Sequence, residues 1–435
     1  MPANPPVFIV AYEYQFVPYA TIAYWQESYA QVLEELQARQ PGGTSWFTLE
    51  RKGIRLAEYV GVVQVPGLKL EILPKADDPD RTGNVAVSEQ QVQQDRWRKV
   101  LLGMLRQVMD LPLAVPSSAN LATAPHKMLD VFLAAYVEQA ETVFRMGLVK
   151  HYHAAEGNRS ALKGQLLFSQ HLTQNLLHRE RFFTRHQVYD RAHPLNCLLR
   201  MALQIAADLA HSALLAARAR TLLLHWPESP VVPVPAERPV LGRKTAYYSA
   251  ALDLALLVLR AHSPSLQRGA NQALALLFDM NSLFEEYVEK VLRRAARQNG
   301  CLVRAQQEKP FWSTIKARPD VAVTIMPTAN DTRPARICIL DMKWKVPKGG
   351  KPSPEDMRQI YAYCHLWGAR HGLLIYPWVG IKQHARHSSY APSKWSADGV
   401  AINGHTYYIE VLLPNSVLNP NLGEETLKML RALSA

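Results

Sequence analysis

The sequence has few cysteines, no long apolar run and no secretion signal, and each absence excludes a class of protein. Its four cysteines, Cys197, Cys301, Cys338 and Cys364, form no Cys-x-x-Cys pair, which argues against a zinc site, and their pattern indicates no disulfide framework. No apolar stretch reaches the roughly 20 residues that span a bilayer, and the first residues lack a signal-peptide pattern. We therefore expect a soluble, cytoplasmic protein without a membrane partner.

Motifs for nucleotide hydrolysis and for sequence-specific DNA reading are also missing. Nothing matches the Gly-x-x-x-x-Gly-Lys-Ser/Thr loop that cradles phosphates, so any nucleotide hydrolysis belongs to another chain. No helix-turn-helix or zinc-finger signature is present. Positive charge, in contrast, is abundant: 49 Lys and Arg residues against 37 Asp and Glu residues give a net charge of +12. This excess favours a polyanionic partner, although charge alone does not distinguish such a partner from a basic, solvated surface.

Composition and periodicity divide the 435 residues into three regions of a multidomain α/β protein. Residues 1–85 contain short strand patterns and predict a β-rich N-terminal domain. Residues 86–240 are mainly helical in period, and within them residues 195–224 predict one long helix. A segment near 150–190 is rich in His and Arg and predicts a projecting basic substructure with short strands; a surface loop is the alternative. Residues 245–435 then form a C-terminal α/β domain.

The most informative pattern lies in the C-terminal region, where two acidic residues and a lysine occur near the ends of two strand patterns. Asp320 precedes the mainly apolar residues 321–326, and Asp341 follows the mainly apolar residues 335–340. Because side chains at i and i+2 of a strand share a face, Asp341 and Lys343 project together from the strand end. A hairpin between the two strands would bring both carboxylates and the ammonium group to one edge of a sheet.

Such a group of side chains suits metal-assisted hydrolysis of a phosphodiester. The carboxylates of Asp320 and Asp341 can bind Mg²⁺ or Mn²⁺, which take oxygen ligands. A bound metal lowers the pKa of a coordinated water, and Lys343 can orient that water or stabilise the developing charge. The pattern is similar to the PD-(D/E)xK nuclease core. An ordinary hairpin with a surface Asp/Lys pair is the alternative.

Two flanking helix patterns agree with that resemblance. An apolar stripe at 3.6-residue spacing in residues 279–292 predicts a helix, with Glu285 at the border of the stripe. In the PD-(D/E)xK superfamily such a helix often supplies a third acid, which implies that role for Glu285. Glu286 is the alternative, because neighbouring helical positions point about 100° apart. A later helix pattern carries Gln359 and Tyr363 on one face. This pair resembles the Gln-x-x-x-Tyr motif of RecB-like nucleases, where it would orient the site or the DNA backbone.

Three further lysines follow Lys343 at short spacing. Lys345, Lys348 and Lys351 form a basic tract that could contact the phosphates of double-stranded DNA. A solvated basic loop explains the same tract equally well, so the assignment depends on the geometry around it.

Over most of its length the chain resembles the McrC-type nuclease subunits of McrBC modification-dependent restriction systems. The segments that carry the resemblance occur in the order expected for that family. They are residues 59–63, 70–75 and 162–166, Asp190 with Asn196, residues 279–285, 318–320 and 341–345, Gln359 with Tyr363, and residues 374–377.

The resemblance implies a Mg²⁺-dependent DNA endonuclease subunit that docks on a McrB-like AAA+ hexamer. It would stimulate GTP hydrolysis by that partner, which binds the GTP and recognises methylated double-stranded DNA. Arg159 and Lys163, in the basic segment, are candidates for contact with the partner, although basic loop residues are often only solvated. Two other functions stay open: an adaptor that stimulates a motor NTPase without cutting, and a stand-alone DNA nuclease. The modified base and the choice between GTP and ATP also stay open.

Overall fold

The computed structural model describes residues 7–22, 25, 27–38, 45–74, 87–113, 128–178, 180–228, 230–264, 272–327, 334–345, 347, 351–378, 386–389, 402–413 and 417–434. Over these residues the chain is a mixed α/β protein with ten α-helices and nineteen strands. None of the described helices has the length and apolarity of a membrane span. The chain forms two compact units, one made of Met1–Pro125 with Ser263–Ala435 and the other of His126–His262.

The N-terminal part of the first unit consists of short strands and two helices. In chain order they are β1 (Val7–Tyr12), β2 (Phe16–Pro18), α1 (Glu27–Ala38), β3 (Phe47–Glu50), β4 (Gly53–Leu56), β5 (Tyr59–Val65), β6 (Leu68–Leu73) and α2 (Val87–Val108). β2, β4 and β3 form a small antiparallel sheet in that order. Helix α2 is tied to β6 by a buried ion pair in which Arg98 Nε and Nη2 each donate a 2.7 Å hydrogen bond to the Glu71 carboxylate.

The second unit combines helices with a three-stranded sheet. Its elements are α3 (Met128–Met146), β7 (His151–Arg159), β8 (Gln165–Leu166), α4 (Phe168–Asn175), β9 (Phe182–Asp190), α5 (Pro194–Leu209), α6 (Ala213–His225) and α7 (Ser249–Ala261). β9 lies between β7 and β8 and is antiparallel to both. The segment near 150–190 therefore contains strands, but β7 and β9, with nine residues each, are longer than the short strands predicted.

The single helix predicted for residues 195–224 is wrong, because the structure has two helices there, α5 and α6. The chain turns between them where the buried Asp130 carboxylate accepts 2.8 Å hydrogen bonds from the backbone N–H groups of His211 and Ser212. Ser212 also caps α6, since its hydroxyl accepts a hydrogen bond from Leu215 N. The local cap at Ser212 and the contact with Asp130 of α3 thus together produce the break, and hydrophobic periodicity contains no sign of either.

The remainder of the first unit supplies two larger sheets and three helices. Its elements are β10 (His262–Pro264), β11 (Gln272–Asp279), α8 (Met280–Gln298), β12 (Cys301–Ala305), β13 (Lys309–Trp312), β14 (Ile315–Ala317), β15 (Val321–Ile325), β16 (Arg336–Met342), α9 (Pro354–Trp367), β17 (His371–Pro377), β18 (Arg386–Ser389), β19 (Asn403–Ile409) and α10 (Leu422–Ser434). β11 pairs antiparallel with β5 in a sheet of order β1-β6-β5-β11-β10, so residues far apart in the sequence share this sheet.

The six-stranded sheet has the order β12-β15-β16-β17-β19-β18 and mixes antiparallel and parallel pairs. β15 and β16 pair as the predicted antiparallel hairpin, with Val321 opposite Leu340; residues 328–333 of its loop lie outside the described residues. β16, β17 and β19 are parallel to one another, because α9 carries the chain back between β16 and β17.

Apolar side chains of α9 cover part of this sheet. Ile360, Cys364 and Trp367 belong to one buried cluster with Ile339 of β16 and Leu374 of β17. Full burial of a side chain of this size stabilises the fold by about 1.5–3 kcal/mol. The cluster therefore fixes which face of α9 meets the sheet, and with it the position of the polar residues on the same helix.

Candidate active site

The antiparallel pairing of β15 and β16 places Asp320 and Asp341 next to each other. Asp320 directly precedes β15, and Asp341 lies near the end of β16, one position beyond the paired residues Val321 and Leu340. Asp320 Oδ2 accepts a 2.7 Å hydrogen bond from the backbone N–H of Met342. This bond connects the two strand ends and holds the Asp320 carboxylate beside the Asp341 backbone.

Lys343 connects the strand end to helix α9. Its Nζ lies 2.9 Å from Asp341 Oδ2 and donates a 3.3 Å hydrogen bond to Gln359 Oε1. Gln359 Nε2 in turn donates a 2.9 Å hydrogen bond to the Tyr363 hydroxyl, one helical turn further along α9. The predicted set of Asp341, Lys343, Gln359 and Tyr363 therefore forms one continuous polar chain.

Helix α8 presents Glu285, not Glu286, toward the acidic pair. Glu285 is half-buried and its pKa responds to the charge of Asp341, whereas Glu286 is exposed. The helix begins at Asp279, whose carboxylate accepts a 3.0 Å hydrogen bond from Ser282 N. Most of the predicted apolar stripe of this helix is buried, including Phe284, while Val291 is partly exposed. Burial of that stripe fixes the rotation of the helix and hence the direction of Glu285.

Glu285, Asp320 and Asp341 are shielded from water and close enough for their negative charges to repel one another. Burial, and then the charge of Asp341, raise the pKa of Glu285 to about 7. Burial together with Asp341 and Glu285 raises the pKa of Asp320 to about 8. Burial also raises the pKa of Asp341, although the Lys343 ammonium group opposes the shift. The carboxylates are therefore held in a state that disfavours full ionisation without additional positive charge.

The Lys343 ammonium group supplies part of that charge. Burial lowers its pKa, but the carboxylates of Asp341 and Asp320 outweigh this effect, and the pKa is raised above its ordinary value. Lys343 is thus a cation at neutral pH, fixed between a carboxylate and an amide.

The donor set of this site fits a hard divalent cation. Asp320 and Asp341 offer only oxygen ligands, which Mg²⁺ and Mn²⁺ take, and a cation would reverse the repulsion that raises their pKa values. The oxygens of Glu285, Asp320 and Asp341 do not all lie within 4.8 Å of one another. Asp320, Asp341 and Glu285 are the residues of the site that could hold a metal ion or the water bound to it.

The other basic residues of the predicted tract are placed differently from Lys343. Lys345 is half-exposed and its Nζ lies 2.7 Å from Asp356 Oδ2, in the first turn of α9. Lys351 is exposed just before that helix. Lys348 lies outside the described residues. Lys345 therefore contacts the helix that also carries Gln359 and Tyr363, whereas Lys351 lies in the exposed segment before that helix.

A groove of about 630 Å³ borders the site and was not anticipated from the sequence. Its lining includes Gln359 and Tyr363 on one side and Phe311 and Lys316 of the β13–β14 hairpin on the other. Phe311 and the adjacent Trp312 are 56% and 73% exposed. The signal in the sequence is an aromatic pair directly before a polar turn, which strand patterns alone do not distinguish from core residues.

Trp344 is a second residue whose role the sequence does not reveal. It lies between the two lysines of the strand end, is buried, and its indole Nε1 donates a 2.8 Å hydrogen bond to Glu13 Oε1. Its ring also packs on Phe284 of α8, with ring centroids 5.1 Å apart. Trp344 therefore anchors the segment that carries Lys343 and Lys345 to both α8 and the N-terminal part of the unit.

The two candidate partner-contact residues belong to the second unit. Arg159 is at the end of β7, and its guanidinium Nε donates a 3.1 Å hydrogen bond to Nε2 of the buried His186. Lys163 is exposed between β7 and β8. The following Gly164 has a φ of +77°, and a Cβ there would lie 2.3 Å from the Arg185 carbonyl oxygen. The backbone around Lys163 is thus constrained by close approach to β9.

Comparisons with known proteins connect this architecture to a family. The family model described as McrBC 5-methylcytosine restriction system component matches residues 54–377. A chain from the Thermococcus gammatolerans assembly of McrB AAA+ hexamers with bound McrC is similar with a TM-score of 0.65 and 16% identity, over 97% of this chain and 100% of that chain. A chain from the cryo-EM structure of the Thermococcus gammatolerans McrBC complex gives a TM-score of 0.46 and 18% identity, over 66% of this chain and 88% of that chain. The comparison with curated proteins gave no significant match.

The family match covers well over half of the chain and includes the site residues from Glu285 to Tyr363. The similarity at a TM-score of 0.65 shows a shared fold along nearly the whole length. The chain therefore belongs to the McrBC 5-methylcytosine restriction system component family.

Proposed function

We propose that this chain is the Mg²⁺-dependent DNA endonuclease subunit of a modification-dependent restriction complex, with a PD-(D/E)xK-type core. The observation that carries the proposal is the juxtaposition of Asp320, Asp341 and Lys343 at the paired ends of β15 and β16. Family membership also supports the proposal, because the members of this family are components of restriction systems.

Each side chain of the site has a role in phosphodiester hydrolysis. Asp320 and Asp341 would hold Mg²⁺ or Mn²⁺, which when bound polarises a phosphate oxygen and lowers the pKa of a coordinated water. Lys343, fixed by Asp341 and Gln359, is positioned to stabilise negative charge that develops on the phosphate. Glu285, with a pKa of about 7, can accept a proton near neutral pH.

The groove next to the site supports a nucleic-acid substrate. Lys316 and Arg358 lie in its lining, and Lys345 borders it from the strand end. Such cations contact backbone phosphates without reading sequence. Trp312 lies on the same hairpin as the groove residue Phe311 and offers an exposed ring on which a base can stack.

The proposed partner is a McrB-like AAA+ GTPase hexamer that recognises methylated DNA and binds the GTP. The Thermococcus gammatolerans chain of similar fold comes from an assembly of McrB AAA+ hexamers with bound McrC. Arg159 and Lys163 are the proposed partner contacts, on the part of the second unit that contains the β7–β9–β8 sheet.

The experiment that tests the proposal is cleavage of methylated and unmethylated plasmid DNA with Mg²⁺ and GTP, with and without a McrB-like AAA+ protein from the same organism. Asp341→Asn is the inactive variant, and Glu286→Gln is the matched control because its carboxylate is exposed on the same helix as Glu285. We expect cutting that requires methylation, the partner and Asp341. Stimulated GTP hydrolysis without cutting would instead identify an adaptor, and cutting without the partner would identify a stand-alone nuclease.

A further inference from the structure

A second group of metal-ligand side chains lies in the second unit, where β7 begins and β9 ends. His151 and His153 are two positions apart on β7 and so share one face of the sheet. His151 is directly opposite Asp190 in the antiparallel pairing of β7 with β9. One ligand atom from each of the three side chains lies within 4.8 Å of the other two.

One ring nitrogen of each of the two histidines is buried without a hydrogen bond. Nδ1 of His151 and Nδ1 of His153 are shielded from solvent and make no hydrogen bond within the described part of the chain. His153 Nδ1 is 3.5 Å from Asp190 Oδ1, which is beyond the usual length of a hydrogen bond. A shielded imidazole nitrogen without a partner is unfavourable, and a bound metal ion would satisfy both nitrogens.

The backbone around the group already holds the carboxylate and a third imidazole. Asp190 Oδ1, which lies 3.5 Å from His153 Nδ1, accepts a 2.8 Å hydrogen bond from Ala192 N that orients the carboxylate. His193 Nδ1 accepts a 3.1 Å hydrogen bond from Leu195 N at the start of α5, and its ring meets that of His151 at a centroid distance of 5.1 Å. Contacts of this kind orient ligands in metal sites.

We infer that His151, His153 and Asp190 form a binding site for a zinc-class divalent transition-metal ion. Two imidazole nitrogens and one carboxylate oxygen are a zinc donor set, with the fourth position taken by water or by Nε2 of His193. Ligands about 2.0–2.1 Å from a tetrahedral ion lie roughly 3.4 Å apart. Side chains that are 35% exposed at His153 and 41% exposed at Asp190 have room to close the remaining distance by rotation.

The donor chemistry separates this site from the carboxylate site of the first unit. Imidazole nitrogen favours zinc and its neighbours over Mg²⁺, whereas an all-oxygen set favours Mg²⁺. The inference is also independent of nuclease activity. An ion here would clamp the beginning of β7 to the end of β9, and so stabilise the sheet that carries Arg159 at its far end.

The test is metal binding to the full-length chain in an Asp341→Asn background, which weakens the carboxylate site as a competing zinc ligand. After removal of metals by a chelator, Zn²⁺ is titrated by calorimetry and Co²⁺ by visible absorption, whose intensity reports tetrahedral ligation. We expect one tight site per chain, an increase in the unfolding temperature on addition of Zn²⁺, and at least about tenfold weaker binding in His153→Ala and in Asp190→Asn.

The matched control is His178→Ala, because His178 is an exposed histidine of the same unit that pairs with Glu180. Its zinc affinity should equal that of the Asp341→Asn parent. Absence of stoichiometric Zn²⁺ binding would overturn the inference, as would equal loss of affinity in His178→Ala and His153→Ala. Should His153→Ala misfold by circular dichroism, Asp190→Asn retains the size of the side chain and decides the question.

Discussion

Lys343 Nζ lies 2.9 Å from Asp341 Oδ2, while Asp341 itself is only 1% exposed, so this ion pair is almost closed to water on its carboxylate side. The carboxylate would be costly to bury alone, and the neighbouring Asp320 and Glu285 increase that cost by charge repulsion. Burial of such a pair is more easily understood as a feature of a reactive site than as a source of stability.

Replacement of Lys343 by methionine, which keeps the length of the side chain and removes the charge, should reduce DNA cutting by about 10²–10³-fold. The physical reason is loss of the ammonium group beside the reacting phosphate. The measurement is single-turnover cleavage with the partner present. Partner GTP hydrolysis should be unchanged, and full cutting by Lys343→Met would contradict the role assigned to this lysine.

Gln359 should act as a positioning residue. Its amide accepts from Lys343 and donates to the Tyr363 hydroxyl, so Gln359→Leu frees the ammonium group to move. We expect a decrease in cleavage rate of about tenfold or more, comparable to loss of a charge-assisted hydrogen bond of about 1.5–3 kcal/mol. Gln359→Glu should restore part of the rate because it keeps an acceptor for Lys343; equal rates in both variants would argue for a purely structural role.

Glu285 should make the free energy of unfolding of the chain depend on pH. Burial and the charge of Asp341 raise its pKa from 4.5 to about 7. The folded, metal-free chain therefore binds this proton more tightly than the unfolded chain, and its contribution to stability falls as the pH rises from about 4.5 to about 7. Glu285→Gln removes the free-energy cost of ionising this carboxylate in the folded chain. Its unfolding temperature should exceed that of the parent at about pH 8 and equal it at about pH 4.

The control for that experiment is Glu286→Gln, whose carboxylate is exposed one position along α8. Thermal unfolding across the pH range, in the presence of a chelator, is the measurement. A Glu286→Gln curve that departs from the parent while the Glu285→Gln curve follows it would reverse the assignment between the two acids.

Trp312 should contribute to DNA affinity through stacking. Its ring is 73% exposed on the hairpin beside the groove. Trp312→Ala should weaken binding of DNA in the presence of Ca²⁺ by about 1–3 kcal/mol, the range for loss of one stacked base. Phe168→Ala, at an equally exposed aromatic position of the second unit, is the control. Equal DNA affinities for the parent and Trp312→Ala would exclude the hairpin from the DNA path.

The buried Arg98–Glu71 pair should be a large determinant of stability in the first unit. The two side chains are 2% and 1% exposed, and Asp95 makes a further contact with the same guanidinium group. Arg98→Ala leaves Glu71 as an unpaired buried charge and should cost about 3–5 kcal/mol of unfolding free energy. The exposed Arg55–Glu50 pair is the control, and Arg55→Ala should cost about 1 kcal/mol or less.

Denaturant unfolding of these variants is the measurement. The double variant Arg98→Met with Glu71→Leu should recover much of the lost stability, because it removes both charges together. A loss in Arg98→Ala no larger than in Arg55→Ala would mean that the Glu71 carboxylate finds water or another partner.

Several features of the site follow from the sequence because they depend only on short-range geometry. Asp341 and Lys343 share a face because a strand alternates every residue, and Gln359 and Tyr363 share a face because a helix repeats every 3.6 residues. The hairpin that brings Asp320 to Asp341 is likewise local, since its two strands are consecutive along the chain.

Other features were decided only by contacts between residues distant in the sequence. Which of Glu285 and Glu286 turns toward the acidic pair depends on what α8 packs against. The break between α5 and α6 depends on Asp130, and the histidine cluster depends on the register that places His151 opposite Asp190. The pairing of β11 with β5 likewise depends on contacts between distant residues, because the two strands are about 200 residues apart in the sequence. Periodicity specifies which face of an element is apolar, but the element that covers this face is chosen by the free energy of the whole packed unit.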